Sequence, residues 1–404
     1  MSQVQSIAVV GAGPVGVFAA LACARRGHSV TIVEAETRVD DGPRAATTHP
    51  STLEMIAGVG LIEDYIRNGL VARHFQFWDG VRRELVAEFD FDRLRDETPY
   101  PFVVQLEQHK LVNMGLGRLR GMANAKVMTG TRLTGFTQDA NAVQLTVEGA
   151  DGRETFAARY LIAADGGRST VRKALDVEFE GYTWPERFLV ITTLADLQTI
   201  SPCCYRNYVM HPQYWFASFK VSGDDGKGRW RVTSALPAGE TDERALSPES
   251  IRRRMVQFGL AEAVDGVIHL NVYHVHQRVA KSFRKGRVFL VGDAAHVNNP
   301  LGGLGLNSGV HEATDLANLL DAVLTGRADE SVLDQYERRR RALNIQYVQE
   351  QTTANKRRIE EKDPAKRAER LCELRDIAAD PAGHRAFVSH AGLLDSVKQA
   401  ATMT

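Results

Sequence analysis

A glycine-rich turn near the start of the chain constrains its fold more than any other feature. Residues 7–10 are apolar and mostly β-branched, as in a buried parallel strand. They run into Gly11-Ala12-Gly13-Pro14-Val15-Gly16, then an Ala/Leu-rich helical stretch to Arg26 and a stop at Gly27. At this spacing Gly11 permits the tight turn, Gly13 lets the backbone approach a pyrophosphate, and Gly16 lets the helix pack closely on the strand. Phosphates would lie at the helix start, beside Pro14 and Val15, where free N–H groups and the helix dipole favour negative charge. A second strand, residues 29–33, ends in Glu34, placed to accept hydrogen bonds from a ribose. The unit predicts a dinucleotide site. Glu34 argues against a 2′-phosphate there, so FAD or NAD(H) fits better than NADPH.

The same segment is also the one that could be mistaken for a membrane span. No charged residue precedes Arg25, and residues 7–24 reach the length of a short spanning helix. Gly11, Gly13, Pro14 and Gly16 interrupt its first half and no basic stretch precedes it, so a buried helix in a soluble protein is expected. Composition points the same way. With 404 residues, 44% of them hydrophobic, the chain can bury a large core in two or three domains. Its 50 Lys+Arg balance 50 Asp+Glu, leaving no global field to hold nucleic acid or an anionic membrane. Cys23, Cys203, Cys204 and Cys372 show neither disulfide nor metal spacing, which fits a reducing, cytoplasmic setting.

Two further motifs combine glycine with aspartate. An apolar strand ends in Gly292-Asp293-Ala294-Ala295-His296, and Pro300-Leu301-Gly302-Gly303-Leu304-Gly305-Leu306-Asn307 then opens a helix carrying Val310, Ala313, Leu316, Ala317, Leu320 and Leu324. A glycine-rich turn before a helix presents a row of backbone N–H groups, while an Asp at a strand end can accept from a polyol hydroxyl. A third motif runs from Tyr160 through Asp165-Gly166-Gly167-Arg168 to Arg172.

In this order the three motifs resemble the FAD-dependent aromatic hydroxylases, single-component flavoprotein monooxygenases that share the p-hydroxybenzoate hydroxylase fold. The resemblance implies that Gly11, Gly13, Pro14, Val15, Gly16 and Glu34 hold the ADP half of FAD. It implies that Asp293 contacts the ribityl chain and that Asp165 helps hold the pyrophosphate region. Pro300, Gly303, Gly305, Leu306 and Asn307 would lie along the flavin ring. The loop at residues 42–50 resembles the family's arginine-bearing loop, with Arg44 reaching the pyrophosphate. Residues 106–111 resemble its helix start, with Gln108 near the cofactor chain. Leu304 departs from the family, where a Gln is common.

The implied fold class is α/β: a Rossmann-like FAD-binding domain, an interleaved, mainly antiparallel substrate sheet, and a C-terminal helical region. The FAD domain is expected at residues 1–70, 101–180 and 271–330, and the substrate domain at 71–100 and 181–270. Residues 331–404 are expected as helices, with Leu333, Tyr336, Leu343 and Tyr347 at helical spacing. Basic runs at 338–341 and 356–358 are answered by nearby acids and read as a solvated face. In the substrate region, strands are expected near residues 189–193, 214–221 and 229–235. Alternate residues of the segment 213–220 would face a ring, making Arg206, His211, Tyr214, Phe216 and Pro300 substrate candidates. His211 and Tyr214, with His296, are the catalytic candidates. His274 and His276 share a strand face but lack a third ligand, so no metal site is expected.

The implied activity uses NADH or NADPH and O2 to hydroxylate an electron-rich aromatic or heteroaromatic compound, a phenol or aromatic acid, through a flavin C4a-hydroperoxide. Such chemistry needs no obligatory side-chain nucleophile, since the cofactor makes the bonds and the protein positions and excludes water. Small aromatic substrate and O2 are the expected partners, without nucleic acid or membrane, in a monomer or homodimer. Two alternatives stay open: a flavin oxidoreductase or epoxidase of another substrate class, and a non-catalytic FAD-binding regulatory module. Arg229-Trp230-Arg231-Val232 does not match the signature of flavin halogenases.

Overall fold

The structure, a computed structural model, describes residues 5–403. Two large sheets organise it. In the first, strands Val288–Leu290, Gly152–Ala163, Gln5–Val10, Val30–Val33 and Ala125–Met128 lie side by side and parallel. The hairpin of Arg132–Gln138 and Val143–Gly149 attaches antiparallel to the long strand Gly152–Ala163. Ile7, Ala8 and Val9 are fully buried, as the unbroken apolar run requires of a strand covered on both faces. Helix Pro14–Arg25 is buried along residues 15–24, between the sheet and helices Gln108–Arg120 and Leu304–Leu324. The uncharged stretch 15–24 therefore belongs to the protein core. Among the described residues no helix is long and apolar enough to cross a membrane.

The second sheet has the strand order His296–Val297, Val267–Ala280, Phe179–Thr193, Arg229–Ala235, Phe216–Val221, Arg206–Met210, His74–Asp79 and Glu84–Asp90. All its pairings are antiparallel except that of Arg206–Met210 with His74–Asp79. One face packs Leu189, Ile191, Phe216, Trp230 and Val232 against Ile251 and Met255 of helix Pro248–Gln257. The other face looks toward the first sheet. A small third sheet joins Thr47–Thr48, Val103–Gln105 and Leu70–Ala72.

Two boundaries differ from those expected. The divisions at 180/181 and 270/271 both fall inside long strands, because Phe179–Thr193 and Val267–Ala280 pair with one another from Phe179–Ala280 to Thr193–Val267. Hydrogen bonding carries each strand past the point where its sequence changes character. Past its far end, Ala280 donates to Ala295 O at 2.7 Å, tying this ladder to the turn that carries Asp293. The helix expected after residue 330 is present as Asp334–Leu343 and Glu350–Ile359, joined by a π-helical turn, Asn344–Gln349. Leu333, Tyr336, Leu343 and Tyr347 are buried on it. Asp363 and Asp380 then cap helices Pro364–Ala379 and Pro381–Ala391, each with proline in the first turn.

Candidate active site

Between the two large sheets runs a cleft of about 1650 Å³. That exceeds the ~300–1000 Å³ typical of a single small-ligand pocket, so there is room for an extended ligand with a second molecule beside it.

At one end the wall is mostly backbone. Gly11 has φ +98°, and a Cβ there would stand 2.4 Å from Ala164 O; a Cβ at Gly16 would stand 2.0 Å from Gly11 O. Only glycine permits the turn and the close seat of the helix on it. Gly13 differs, since nothing in the protein lies within 4 Å of where its Cβ would be, although it lines the cleft. Its bareness leaves space for a ligand. Val15 is a wedge: a Cβ on Gly309 would come within 2.5 Å of its Cγ2, and one on Gly292 within 3.0 Å. Glu34 accepts from Ala12 N at 2.7 Å and Glu36 N at 2.9 Å, which fixes its carboxylate beside the turn. Arg44 is paired with Asp40, and its carbonyl accepts from Arg231 Nη1 at 2.6 Å. Gln108 opens its helix on the cleft wall. Asp165 also borders the cleft, but its oxygens are taken up by Ser169 Oγ, Thr170 N and Val171 N, so it caps the short helix Thr170–Ala174.

The middle of the cleft is formed by the Gly292-Asp293 turn and the start of helix Leu304–Leu324. Asp293 is open to solvent within the cleft, and its carboxyl accepts no hydrogen bond among the described residues. Enclosure by the surrounding protein raises it above the usual carboxylate range, against the opposing pull of His296 and Arg44. The helix begins after Gly303 at φ +70°, with Leu304, Gly305 and Leu306 on the cleft wall. Its first N–H groups lack intrahelical partners and carry the positive end of the dipole. Asn307 is buried and does not face the cleft. Its side chain donates to Thr47 O and Gly303 O and accepts from His49 N, locking two loops together. Pro300 is exposed on the wall, and Leu304 packs with Leu343, Tyr347, Val348 and Leu393. At that position an apolar seam with the C-terminal helices replaces a polar contact.

His296 is wholly buried, with Nε2 2.7 Å from Glu312 Oε1. Burial alone would lower its pKa, but Glu312 and Asp293 together raise it. Glu312 also accepts from Gly292 N at 2.8 Å and Ser308 Oγ at 3.0 Å. The pair therefore braces the Asp293 turn from behind, and His296 does not reach the cleft. Glu312 escaped the sequence reading, though an acid among the apolar positions of that helix was a usable signal.

The far wall is the inner face of the second sheet. Its register aligns Phe77, Tyr208, Ala217, Thr233, Val190 and Asn271 in one row across six strands, and Arg206, Phe219, Arg231, Thr192 and His269 in the next. Arg206 is 6% exposed, and its Nη2 donates to Tyr208 Oη at 3.0 Å and Gly302 O at 3.1 Å. Arg231 is 5% exposed, and burial pushes its pKa down to about 10 despite Glu107. Neither Tyr208 nor Arg231 was among the expected contacts.

Three substrate candidates are corrected. The strand begins at Phe216, with Tyr214 left in the preceding turn; Ala217 and Phe219 face the cleft, while Phe216 packs on Phe258 behind the sheet. His211 Nδ1 accepts from Gln213 N and Tyr214 N, which closes that turn, and neither His211 nor Tyr214 lines the cleft. His276 Nδ1 lies 2.8 Å from Thr183 Oγ1.

Residues 4–351 match the family model described as an FAD binding domain. Over 390 residues the chain is 34% identical to para-nitrophenol 4-monooxygenase of Pseudomonas sp. (strain WBC-3), covering 96% of this chain and 95% of that one. Over 369 residues it is 31% identical to 6-hydroxy-3-succinoylpyridine 3-monooxygenase of Pseudomonas putida, covering 90% and 91%. The crystal structure of p-nitrophenol 4-monooxygenase from Pseudomonas putida DLL-E4 superposes with a TM-score of 0.89 at 32% identity, over 97% of this chain and 99% of that one. The chain belongs to the FAD-dependent aromatic hydroxylases.

As a member of that family it is an FAD-dependent monooxygenase of aromatic compounds. Its own residues fit the cofactor. Gly13 leaves bare space beside a helix start, Asp293 offers an unsatisfied carboxylate in the middle of the cleft, and a second helix start faces the same space. These are an anion seat, a polyol acceptor and a second positive dipole end, in the order an extended dinucleotide presents its groups.

Proposed function

We propose that the protein uses NAD(P)H and O2 to hydroxylate a phenol or an aromatic or heteroaromatic acid held against the inner face of the second sheet. Bound FAD would supply the redox chemistry, carrying electrons from the nicotinamide to O2 so that one oxygen atom is transferred to the ring. The protein supplies position and charge. Glu34 would accept from the adenosine ribose, and the turn at Gly13, Pro14 and Val15 would seat the pyrophosphate, with Arg44 and Gln108 alongside. Asp293 would accept from the ribityl hydroxyls. The first turn of helix Leu304–Leu324 would oppose negative charge at the pyrimidine edge, and Pro300 and Gly303 would flank the ring. Asn307 and Asp165 would act through the loops they lock. Arg206 and Tyr208 would hold the substrate oxygen, beside Phe219 and Tyr273.

One observation carries this reading: a single cleft joins the glycine turn and Asp293 to an arginine- and tyrosine-bearing sheet face. All four cysteines are free, which supports placement in a reducing cytoplasm. The cleft is complete within one chain, so a monomer or a homodimer would serve. The test is to purify the protein with FAD and follow NADH and NADPH oxidation against a panel of phenols and aromatic acids. Oxidation stimulated by a ring, with hydroxylated product in matching amount, is expected. Protein that binds FAD and ring compounds yet forms no product would favour the regulatory module; protein that accepts no FAD would sink the reading altogether.

A further inference from the structure

The segment between strand His296–Val297 and helix Leu304–Leu324 is held from behind by one buried amide. Asn298, Pro300, Leu301, Gly302 and Gly303 line the cleft, while Asn299 does not and is fully buried. Asn299 meets Gln277, a residue of strand Val267–Ala280 that is 5% exposed. Gln277 Oε1 accepts from Asn299 N at 3.1 Å, with Asn299 Nδ2 and Trp184 Nε1 at 3.2 and 3.3 Å. Backbone and indole N–H groups only donate, so the amide oxygen is the atom that faces them. The two protons of Gln277 Nε2 then go to Gln349 O at 3.2 Å and Thr352 Oγ1 at 2.9 Å. With both ends of the amide occupied, this buried group rigidifies what it touches.

Gln349 closes the π-helical turn Asn344–Gln349, a form that is rare and recurs at functional sites. That turn and the helix after it reach the same segment at three more points. Gln349 Nε2 donates to Val297 O and Asn344 Nδ2 to Ser308 Oγ, both at 3.4 Å, and Asn355 Nδ2 donates to Leu301 O at 3.2 Å. A Cβ on Gly302, at φ +107°, would stand 2.9 Å from Asn355 Nδ2, so the backbone there lies directly against this side chain. Bonds of 3.4 Å fall outside the usual N–H···O range of ~2.7–3.2 Å. The hold on the segment therefore rests mainly on Gln277.

Resting on the cofactor placement given above, we propose that Gln277 is a positioning residue for hydroxylation. By bridging Asn299 to the π-helical turn, it sets where Pro300, Gly303 and the start of helix Leu304–Leu324 stand against the flavin ring. Gln277 itself does not line the cleft and acts through Asn299. A misplacement of about 1 Å in such a wall can cost about a hundredfold in rate.

The test compares Gln277→Leu and Gln277→Glu with wild type, each saturated with FAD. Leucine removes both sides of the bridge, while glutamate keeps an acceptor toward Asn299 and loses the donor to Gln349 O. Two quantities are read: the midpoint potential of the bound flavin, by reductive titration against a reference dye, and the ring consumed per NAD(P)H oxidised, with 4-nitrophenol as the ring. Both belong to each folded, flavin-bearing molecule, so a variant that only loses stability leaves them unmoved. In Gln277→Leu the potential should fall, because the positive helix end recedes from the negative edge of the reduced flavin. Hydroxylation should slow by up to about a hundredfold, and less ring should be consumed per NAD(P)H. Electrons that miss the ring reduce O2, so that NAD(P)H, a proton and O2 yield NAD(P)+ and H2O2. Gln277→Glu should fall between the two. Thr352→Val cuts the same bridge from the side of the turn and serves if Gln277→Leu does not fold; Thr352→Ser should restore wild-type values. Potential and ring yield equal to wild type in the folded bridge variants overturn the proposal, whatever their stability. Wild-type protein that consumes neither 4-nitrophenol nor any other ring removes the activity reading beneath, and the potential, read without a ring, still decides this inference.

Discussion

The two ends of the cleft are built from different materials. Around Gly11 the wall is backbone, and its shape follows from the absence of side chains: a single methyl at Gly11 or Gly16 would collide with a carbonyl oxygen. On the second sheet the wall is all side chain, projected from strands that are distant in sequence and aligned only by register. A backbone wall tolerates almost no change and serves one ligand. A side-chain wall can be altered at one position while its neighbours stand, and this suits it to discriminate among rings.

That contrast can be broken by substitution. Gly11→Ala should have the largest effect, because strain at φ +98° adds to the clash with Ala164 O. FAD affinity should fall by at least about a hundredfold, ~3 kcal/mol, by fluorescence titration. Gly13→Ala, with open space at its Cβ, should keep the wild-type thermal midpoint without ligand and lose FAD affinity only; a folding defect in it would contradict the distinction between the two glycines. Glu312→Ala leaves His296 buried without its partner and should cost about 3–5 kcal/mol of stability, measured by denaturant unfolding. An unchanged midpoint would show that the brace behind Asp293 is dispensable.

Asp293→Ala should weaken FAD retention by about tenfold, the value of roughly one good hydrogen bond to a charged group, with the apo fold intact. Flavin content equal to wild type would count against the ribityl contact. His49 gives a pH dependence. Its pKa is near 3 in the fold against 6.5 for an ordinary imidazole, so its contribution is whole above pH 6.5. As pH falls from 6.5 toward 3, the unfolded chain binds a proton that the folded one refuses, and stability should drop by up to ~1.4 kcal/mol per pH unit. His49→Asn should show a shallower decline over that window, and parallel curves would refute the assignment. Smallest of all, Phe216→Leu should cost about 1 kcal/mol of stability and leave ligand affinity alone, since Phe216 packs behind the sheet. A change in ring binding there would mean that the two faces are not separate.

The same contrast explains what could be read in the sequence. The glycine turn, Glu34 and the Asp293 turn follow from steric and electrostatic needs that only certain residues meet, so pattern and structure agree there. The sheet face depends on parity. Alternation leaves two faces to choose between, and only the pairing of Ala217 with Tyr208 and of Phe219 with Arg206 shows that the odd-numbered residues look inward and that Phe216 packs behind. Arg206 was legible as a charge among aromatics. Arg231 and Tyr208 were not separable from their neighbours until register placed them. Asn307 shows a further limit, because its motif position was clear while the bonds it makes, to Thr47 O and Gly303 O, come from tertiary contact.

The paired strands Phe179–Thr193 and Val267–Ala280 act as a ruler. Their ladder starts on the wall that would hold the ring and ends one hydrogen bond from the turn that carries Asp293. If ring and cofactor bind as proposed, the gap between them would be a count of backbone steps, insensitive to which side chains line the wall. Such a gauge would let the wall be rewritten for new rings while the spacing between the two stays the same.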